Sequence, residues 1–402
     1  MVRSLAKIFS RKQGQPVSLL ENDWWLQEIF RGTKATSGVS VSPLKALGVP
    51  TVYACVNHIA KDVAKLPLKL YRRNGQGKDE ATDHPLYALL HDGPNEEMTS
   101  IDFRKAMQSN LSLRQNAVAI ISRDGRGQVA EIYPVDPADL KLHKEKNQPL
   151  DYYIDGIKQD RSRILHLKGF THNGVAGIEM VNLVQDVIGL AIALQDNASR
   201  FFGNGSRSGG ILSHPGSLSD AAFDRLRKEM ETKHAGVHNA YKLMILEEGL
   251  KYEASRIDND KSQFIESRKH QDIAICQIFG VQPHKVGILD RATFSNIEQQ
   301  NIEYVVDTLL PELRTWEQAL NTRLLRPQER GEYFFEFNVD GQLRGDFKSR
   351  MEGYAIGRQN GWLNADEIRS LENMNPLPDG LGQRYLEPLN MTPAGEQQNE
   401  ND

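Results

Sequence analysis

Between Asp258 and Leu325 the chain offers two long helical runs and one interruption. DKSQFIESRKHQDIAICQIFGV gives way to the polar, glycine-containing stretch QPHKVGILDRATFSN. IEQQNIEYVVDTLLPELRTWEQALNTRLL then resumes the helical pattern with one proline, Pro311, inside it. Proline has no amide proton and its ring clashes with the preceding turn, so the second helix should bend there. Long helices joined by a polar loop suit a mechanical or assembly part better than a small-molecule pocket. No nucleophile, metal cluster or phosphate loop accompanies them.

At 402 residues the chain has room for two or three domains. An apolar fraction of 39% and a mean hydropathy of -0.52 are lean for one large closed core, which predicts extended helices or a multi-part shape. With 49 basic against 53 acidic residues and a net charge of -4, the chain lacks the basic coat of a tight duplex binder. That balance still permits a protein that surrounds DNA without gripping it. Cys55 and Cys276 sit far apart in apolar contexts and read as buried free thiols. The amino terminus, MVRSLAKIFSRKQGQP, is basic but lacks a signal-peptide core, so residues 1–45 are expected to form a flexible arm. No apolar window is long enough to span a membrane.

Val52, Cys55, Val56, Ile59, Ala60 and Val63 recur at helical spacing after Pro50 and stop at Pro67. LKLY then predicts a short strand, and HPLYALLHDGP a short helix. MTSIDFRKAMQSNLSLR predicts another helix, capped by Thr99 or Ser100. AVAIISRDGRGQVAEIYPV is a hairpin in form, and DYYIDGIKQDRSRILHL repeats the pattern with Asp155-Gly156 in the turn. These segments predict one α+β domain from about 46 to 170. MVNLVQDVIGLAIALQDNASRFFGNG predicts one continuous helix of about seven turns, ended by a glycine cluster. Another helix starts at Ser219, and AYKLMILEEGLKYEAS predicts a hairpin inserted before the long pair. EYFFEFNVD predicts a strand and LNADEIRSLENM a helix capped by Asn364; MTPAGEQQNEND is expected to be disordered.

The motifs that would carry chemistry fail on spacing. GNGSRSGG follows a helix where a dinucleotide cradle follows a strand, and it lacks the lysine-hydroxyl pair of a P-loop. His234 and His238 have Gly236 between them and no further ligand set. Asp340, Gly341 and Asp346 carry too few acids for a calcium loop. Glu247-Glu248 and Asp258 with Asp260 read as solvated acids rather than an acid–base pair. Basic residues form a cationic arm (Arg3, Lys7, Arg11, Lys12) and a scatter around the middle helices (Arg200, Arg207, Arg225, Arg227, Lys228). The reading is a non-enzyme without cofactor or metal; an enzyme with a non-local active site is the alternative.

Taken in order, several blocks resemble the portal proteins of tailed bacteriophages, specifically the shorter family. They are ACVNHIAKDVAKLPLKLY, HPLYALLHDGPNEEMTSIDF, FFGNGSRSGGIL, IAICQIFGVQPHKVG, FSNIEQQNIEYVVDTLLPEL and LRGDFKSRMEGYAIGRQNGWLNADEIRSLENMNPLP, within roughly residues 46 to 390. Departures from the usual pattern fall at 114–119, at Glu179-Met180 and at Gln282.

The resemblance implies a mixed α+β, helix-rich portal fold with wing, stem and clip, and a crown minimal or absent. After the arm, residues 46–218 would be the first part of the wing, 219–237 and 259–280 the stem helices, and 238–258 the clip. Residues 281–295 would be the tunnel loop, 296–390 a kinked long helix and the rest of the wing, and 391–402 a disordered tail. It implies a homo-oligomeric ring, usually of twelve copies, forming a DNA channel at one capsid vertex. Such a ring would serve genome packaging, ejection and head–tail joining. Its partners would be non-specific double-stranded DNA, the terminase large subunit, head-completion and adaptor proteins, and the major capsid and scaffold proteins. It would reside in the virion, and in the host cytoplasm before assembly. Candidate channel-loop residues are Lys285, Asp290, Arg291, Thr293 and Asn296, with Pro311 as the helix kink. Tyr241, Lys242, Glu247, Glu248 and Lys251 are the clip candidates. A structural adaptor of the particle that forms no channel is the other alternative.

Overall fold

The structure, a computed structural model, describes residues 35–75, 77–144, 148–203, 210–216, 219–233, 250–254, 261–289, 294–339, 347–372 and 374–386. The chain divides into two units, one reaching to Phe337 and one beginning at Asn338. Residues 35–45, expected to belong to the loose arm, are held. Ala35 is buried, and the Thr36 amide donates to Asp186 Oδ1 at 2.7 Å. A helical turn at Pro43–Ala46 is capped by Ser42.

Helix α1 (Pro50–Lys65) opens with proline at its first position, where the missing amide proton costs nothing. Its buried stripe includes Val52, Cys55, Val56, Ile59 and Val63, the residues picked out by spacing. Strand β1 (Leu68–Asn74) is the centre of an antiparallel sheet, with β2 (Gly77–Glu80) on one side. Helix α2 spans Pro85–His91, and helix α3 (Ser100–Arg114) starts with a reciprocal capping box between Thr99 and Asp102. Helix α3 ends in the left-handed residue Gln115, whose side chain accepts from Phe170 N at 2.6 Å and donates to Ser112 O.

Strands β3 (Asn116–Arg123) and β4 (Val129–Pro134) form the expected hairpin. Strand β5 covers Leu140–His143. Strands β6 (Asp151–Ile154) and β7 (Ile157–Gln159) meet through Asp155 and Gly156, whose φ values of 51° and 76° are those of a type I′ turn. The second hairpin pattern nevertheless divides. Strand β8 (Ile164–Lys168) pairs with β3, and β5 supplies the third strand beside β6. The reason lies in burial: Ile164, Leu165, His166 and Leu167 are all buried, so both faces of β8 need cover.

The single helix expected over 180–205 is interrupted at Val184. Its pieces are α4 (Met180–Leu183) and α5 (Gln185–Gly203). The end of α3 and the segment before α4 meet here: Arg114 Nη1 lies 3.1 Å from Glu179 Oε1, and the Asn116 side chain bonds both the amide and the carbonyl of Gly177.

The glycine-rich stretch does more than end a helix. Gly210–Ser213 is a strand, β9, paired antiparallel with β10 (Lys251–Ala254). So 251–254, read as half of a local hairpin, takes a distant partner; its expected partner residues lie outside those described. Helix α6 covers Asp220–Lys233, α7 Lys261–Phe279, α8 Phe294–Glu303 and α9 Leu310–Arg323. Strand β11 (Tyr333–Phe337) returns to pair with β1, setting Leu68 opposite Phe337 and Leu70 opposite Phe335.

One helical core of the first unit joins α1, α5, the end of α7 and the segment just after α8. Both cysteines lie in it as free, buried thiols. A hydrogen bond to Cys276, reinforced by burial, pushes the Cys55 thiol far up and keeps it protonated. The second unit holds α10 (Phe347–Gln359) and α11 (Ala365–Leu371). Asn364 caps α11 as expected, in a capping box with Glu367. Among the described residues no helix is long and apolar enough to cross a membrane.

Candidate channel segment

Helix α7 changes character along its length. Residues 265–270 are all exposed, Ile265 at 64%, whereas Ile275 and Cys276 are fully buried. The helix ends in a Schellman motif: Val281 N donates to Cys276 O at 3.0 Å and Gly280 N to Gln277 O at 3.2 Å. Gly280 occupies the left-handed position that the motif requires, with φ 65°. A Cβ on Gly280 would stand 2.6 Å from Thr308 Oγ1, so glycine is needed for space as well as for backbone angle.

The expected tunnel loop contains structure of its own. Pro283–Val286 forms a 3₁₀ turn, stopped by Gly287 at φ 88°. His284 reaches the following helix with both ring nitrogens, Nδ1 lying 2.8 Å from Gln300 Oε1 and Nε2 3.2 Å from Asn301 Oδ1. Lys285, the first channel candidate, is half-buried; its Nζ sits 4.4 Å from the centre of the Tyr304 ring. Burial draws its ammonium pKa down, nearby Asp62 opposes that shift and Lys65 adds to it. Asp62 is buried on α1 and paired with Lys65 at 2.6 Å. Tyr304, 1% exposed, has its hydroxyl beside the Asp62 carboxylate without a well-aligned hydrogen bond. Burial, then Asp62, push that phenol strongly up.

Asp290, Arg291 and Thr293 lie outside the described residues. Asn296 belongs to α8, which begins at Phe294, two positions before the expected helix start. Of the clip candidates, Lys251 is exposed on β10 opposite Ser213, while Tyr241, Lys242, Glu247 and Glu248 lie outside the described residues.

Pro311 is the second residue of α9, and the disturbance expected of it takes a particular form. Tyr304–Leu309 is a π-helical segment joining α8 to α9, and Leu310 N donates to Val305 O, five residues back. Proline has no proton to give Asp307 O and its ring would press on that carbonyl in a regular helix. Widening the ladder just before the proline relieves this. Thr308 Oγ1, within the π segment, donates to Gly280 O at 2.7 Å. Beyond it α9 is anchored by Leu313, Trp316 and Leu320, all essentially buried, with Trp316 Nε1 donating to Gln108 Oε1 at 2.7 Å.

Sequence reasoning located this segment but missed Asp62, His284, Tyr304 and Thr308. Gly280 after an apolar helical run was the one available sign of a cap; nothing in the spacing linked residues 280 and 308.

The segment lies within a longer match. A family profile described as "Phage portal protein" covers residues 50–373. The "Probable portal protein" of Streptomyces phage phiC31 is 33% identical over 386 residues, spanning 91% of this chain and 83% of that one. The "Portal protein" of Enterobacteria phage HK97 is 34% identical over 352 residues, spanning 85% and 82%. This chain belongs to the phage portal protein family. The fold agrees with an HK97-family portal protein structure from Corynebacterium diphtheriae, at a TM-score of 0.59 and 16% identity, covering 77% of this chain and 98% of that one. It also agrees with a chain in the neck of a native gene transfer agent particle computed with C12 symmetry, at a TM-score of 0.55 and 22% identity, covering 82% and 91%.

Proposed function

We propose that this chain assembles into the homo-oligomeric ring that forms the DNA channel at one vertex of a capsid, and serves packaging, ejection and head–tail joining there. The observation that carries this reading is the match to phage portal proteins along nearly the whole chain. In it, residues 46–218 and the part after 296 are wing, α6 and α7 are stem, and 238–258 is clip. The terminase large subunit docks on the clip during packaging and head-completion proteins replace it. The major capsid and scaffold proteins are its further partners.

The segment 281–295 is the tunnel loop, with Asp290, Arg291 and Thr293 as its channel-facing candidates, Asn296 as the candidate on the helix that follows, and Lys285 at its seat. Isolated charges suffice in such a ring because each is repeated in every copy. A net charge of -4 suits a conduit, since every neutralised phosphate adds to non-specific affinity and slows sliding.

The decisive measurement is particle imaging or mass determination of the assembled protein. A closed ring at one vertex is expected. Monomers or dimers alone, in every assembly condition and in particles, would favour an adaptor that forms no channel. Within rings, Arg291→Gln is expected to change packaging rate or DNA retention; unchanged values for both remove the DNA-facing assignment.

A further inference from the structure

Residues 35–41 are fastened to one side of α5. Thr36 donates to Asp186 Oδ1 through its amide, at 2.7 Å, and through its hydroxyl, at 3.2 Å. Ala35 and Ser37 lie so close to Gly189 that a Cβ there would stand 2.6 Å from Ala35 Cβ and 2.9 Å from Ser37 Oγ. Beside this anchor α5 carries an apolar strip. Leu190 is 45% exposed, Val187 and Leu194 are half-buried, and Leu183 in the preceding turn is 40% exposed. At about 100° per residue, positions 187, 190 and 194 share one side of the helix. That side lies between the anchor at 186 and 189 and the core residues Ile188 and Ala191.

The strip runs into a cleft of about 100 Å³ lined by Val49, Pro50, Ala191, Leu194 and the exposed Arg268. Its far wall is α7, whose Gln271 donates to Val187 O at 2.7 Å. Arg268 has no acidic partner among the described residues. A surface of this kind fits an apolar segment that also carries a carboxylate. The chain supplies one beside the anchor: residues 20–34, LENDWWLQEIFRGTK, lead directly into Ala35. Trp25 with Ile29 and Leu26 with Phe30 recur at four-residue spacing, and Asp23 and Glu28 carry the acids. The five residues from Phe30 to Ala35 reach up to about 17 Å, against about 10 Å of helix between Val187 and Leu194. So short a tether holds the segment at an effective concentration on the order of mM, an advantage no free partner has.

We infer that residues 23–30 of the same chain dock on the Leu183–Leu194 strip of α5, with their apolar side chains over Leu190 and the cleft and a carboxylate of Asp23 or Glu28 facing Arg268. The contact belongs to the single chain and does not rest on the ring or channel reading.

The test uses the full chain with Trp362→Phe. Trp362 is 73% exposed, and its removal leaves Trp24, Trp25 and the fully buried Trp316 as the only tryptophans. Docking protects the first two from acrylamide. Adding Leu190→Asp, a change at an exposed position, is expected to raise quenching about threefold while circular dichroism stays the same. Equal quenching with and without Leu190→Asp overturns the proposal. A second measurement separates the chain's own segment from that of another copy. Phe30→Cys and Leu190→Cys are combined and joined with a short bismaleimide; Cys55 and Cys276 are fully buried and stay out of the reaction. A link within one chain is expected, read by peptide mass. A link between two chains assigns the strip to a second copy and overturns the proposal.

Discussion

One helix, α7, passes from solvent to core within its own length, and its two ends obey different rules. At its end Ile275, Cys276 and Phe279 pack against α1, α5 and Tyr304. At its start Ile265 stands 64% exposed amid charged neighbours, and Phe223 on α6 is 56% exposed. The buried end is completed by the subunit itself. The exposed start carries apolar side chains that the described part of the subunit leaves uncovered, as expected of a surface finished by assembly.

The sharpest way to break this comparison is to attack the side that the subunit completes. Trp316 is fully buried, edge-on to Phe103 and Phe337 at 6.0 and 6.4 Å between ring centres. Trp316→Ala is expected to cost about 3–5 kcal/mol in denaturant unfolding of the subunit. A loss near that of an exposed position would mean that α9 is not an anchor.

A second test uses pH on the same self-sufficient side. His166 is buried between the Tyr152 hydroxyl and Asn116 Oδ1, each at 3.0 Å, with Nε2 donating to Asn116 and Nδ1 accepting from Tyr152. Burial draws its pKa down to about 3, with Lys168 and Arg323 adding to the shift. The unfolded chain therefore binds a proton that the folded chain refuses between about pH 6.5 and 3. Stability is unaffected by His166 above that window and falls as pH drops through it. His166→Gln is expected to remove this component, on the order of a few kcal/mol near pH 3. An identical acid-unfolding slope in the variant would contradict the assignment.

Gly280 marks the point where the buried end of α7 hands over to the turn. Gly280→Ala is expected to cost about 1–3 kcal/mol, combining left-handed strain with the approach to Thr308. The same substitution at Gly125, where a Cβ would meet nothing, is the control.

The smallest effect on the subunit is expected where assembly matters most. Ile265→Ser and Phe223→Ser should change subunit stability by about 0.5 kcal/mol or less. Ring yield by mass measurement is the second readout, and a fall is expected. Full ring yield with both substitutions would mean that assembly does not cover these positions.

The local signals were legible because their chemistry is local. Pro50 and Pro67 bracket α1, Thr99 and Asn364 sit at caps, and Asp155-Gly156 supplies the positive φ values of a tight turn. The pattern of the long pair after Asp258 was legible for the same reason, as was the trouble at Pro311. Partner choice was not. Strands β8, β10 and β11 each read as strands, yet pair with β3, β9 and β1, because cover for both faces is decided by what packs above and below. Likewise the sequence marks Lys285 as a cation in a polar loop, while only the tertiary structure sets it over Tyr304 beside Asp62. Spacing along the chain determined the helices, caps and turns, since those depend on neighbours within a few residues. Which strand completes a sheet and what holds the turn in place depend on groups brought together from distant parts of the chain, and folding alone decided them.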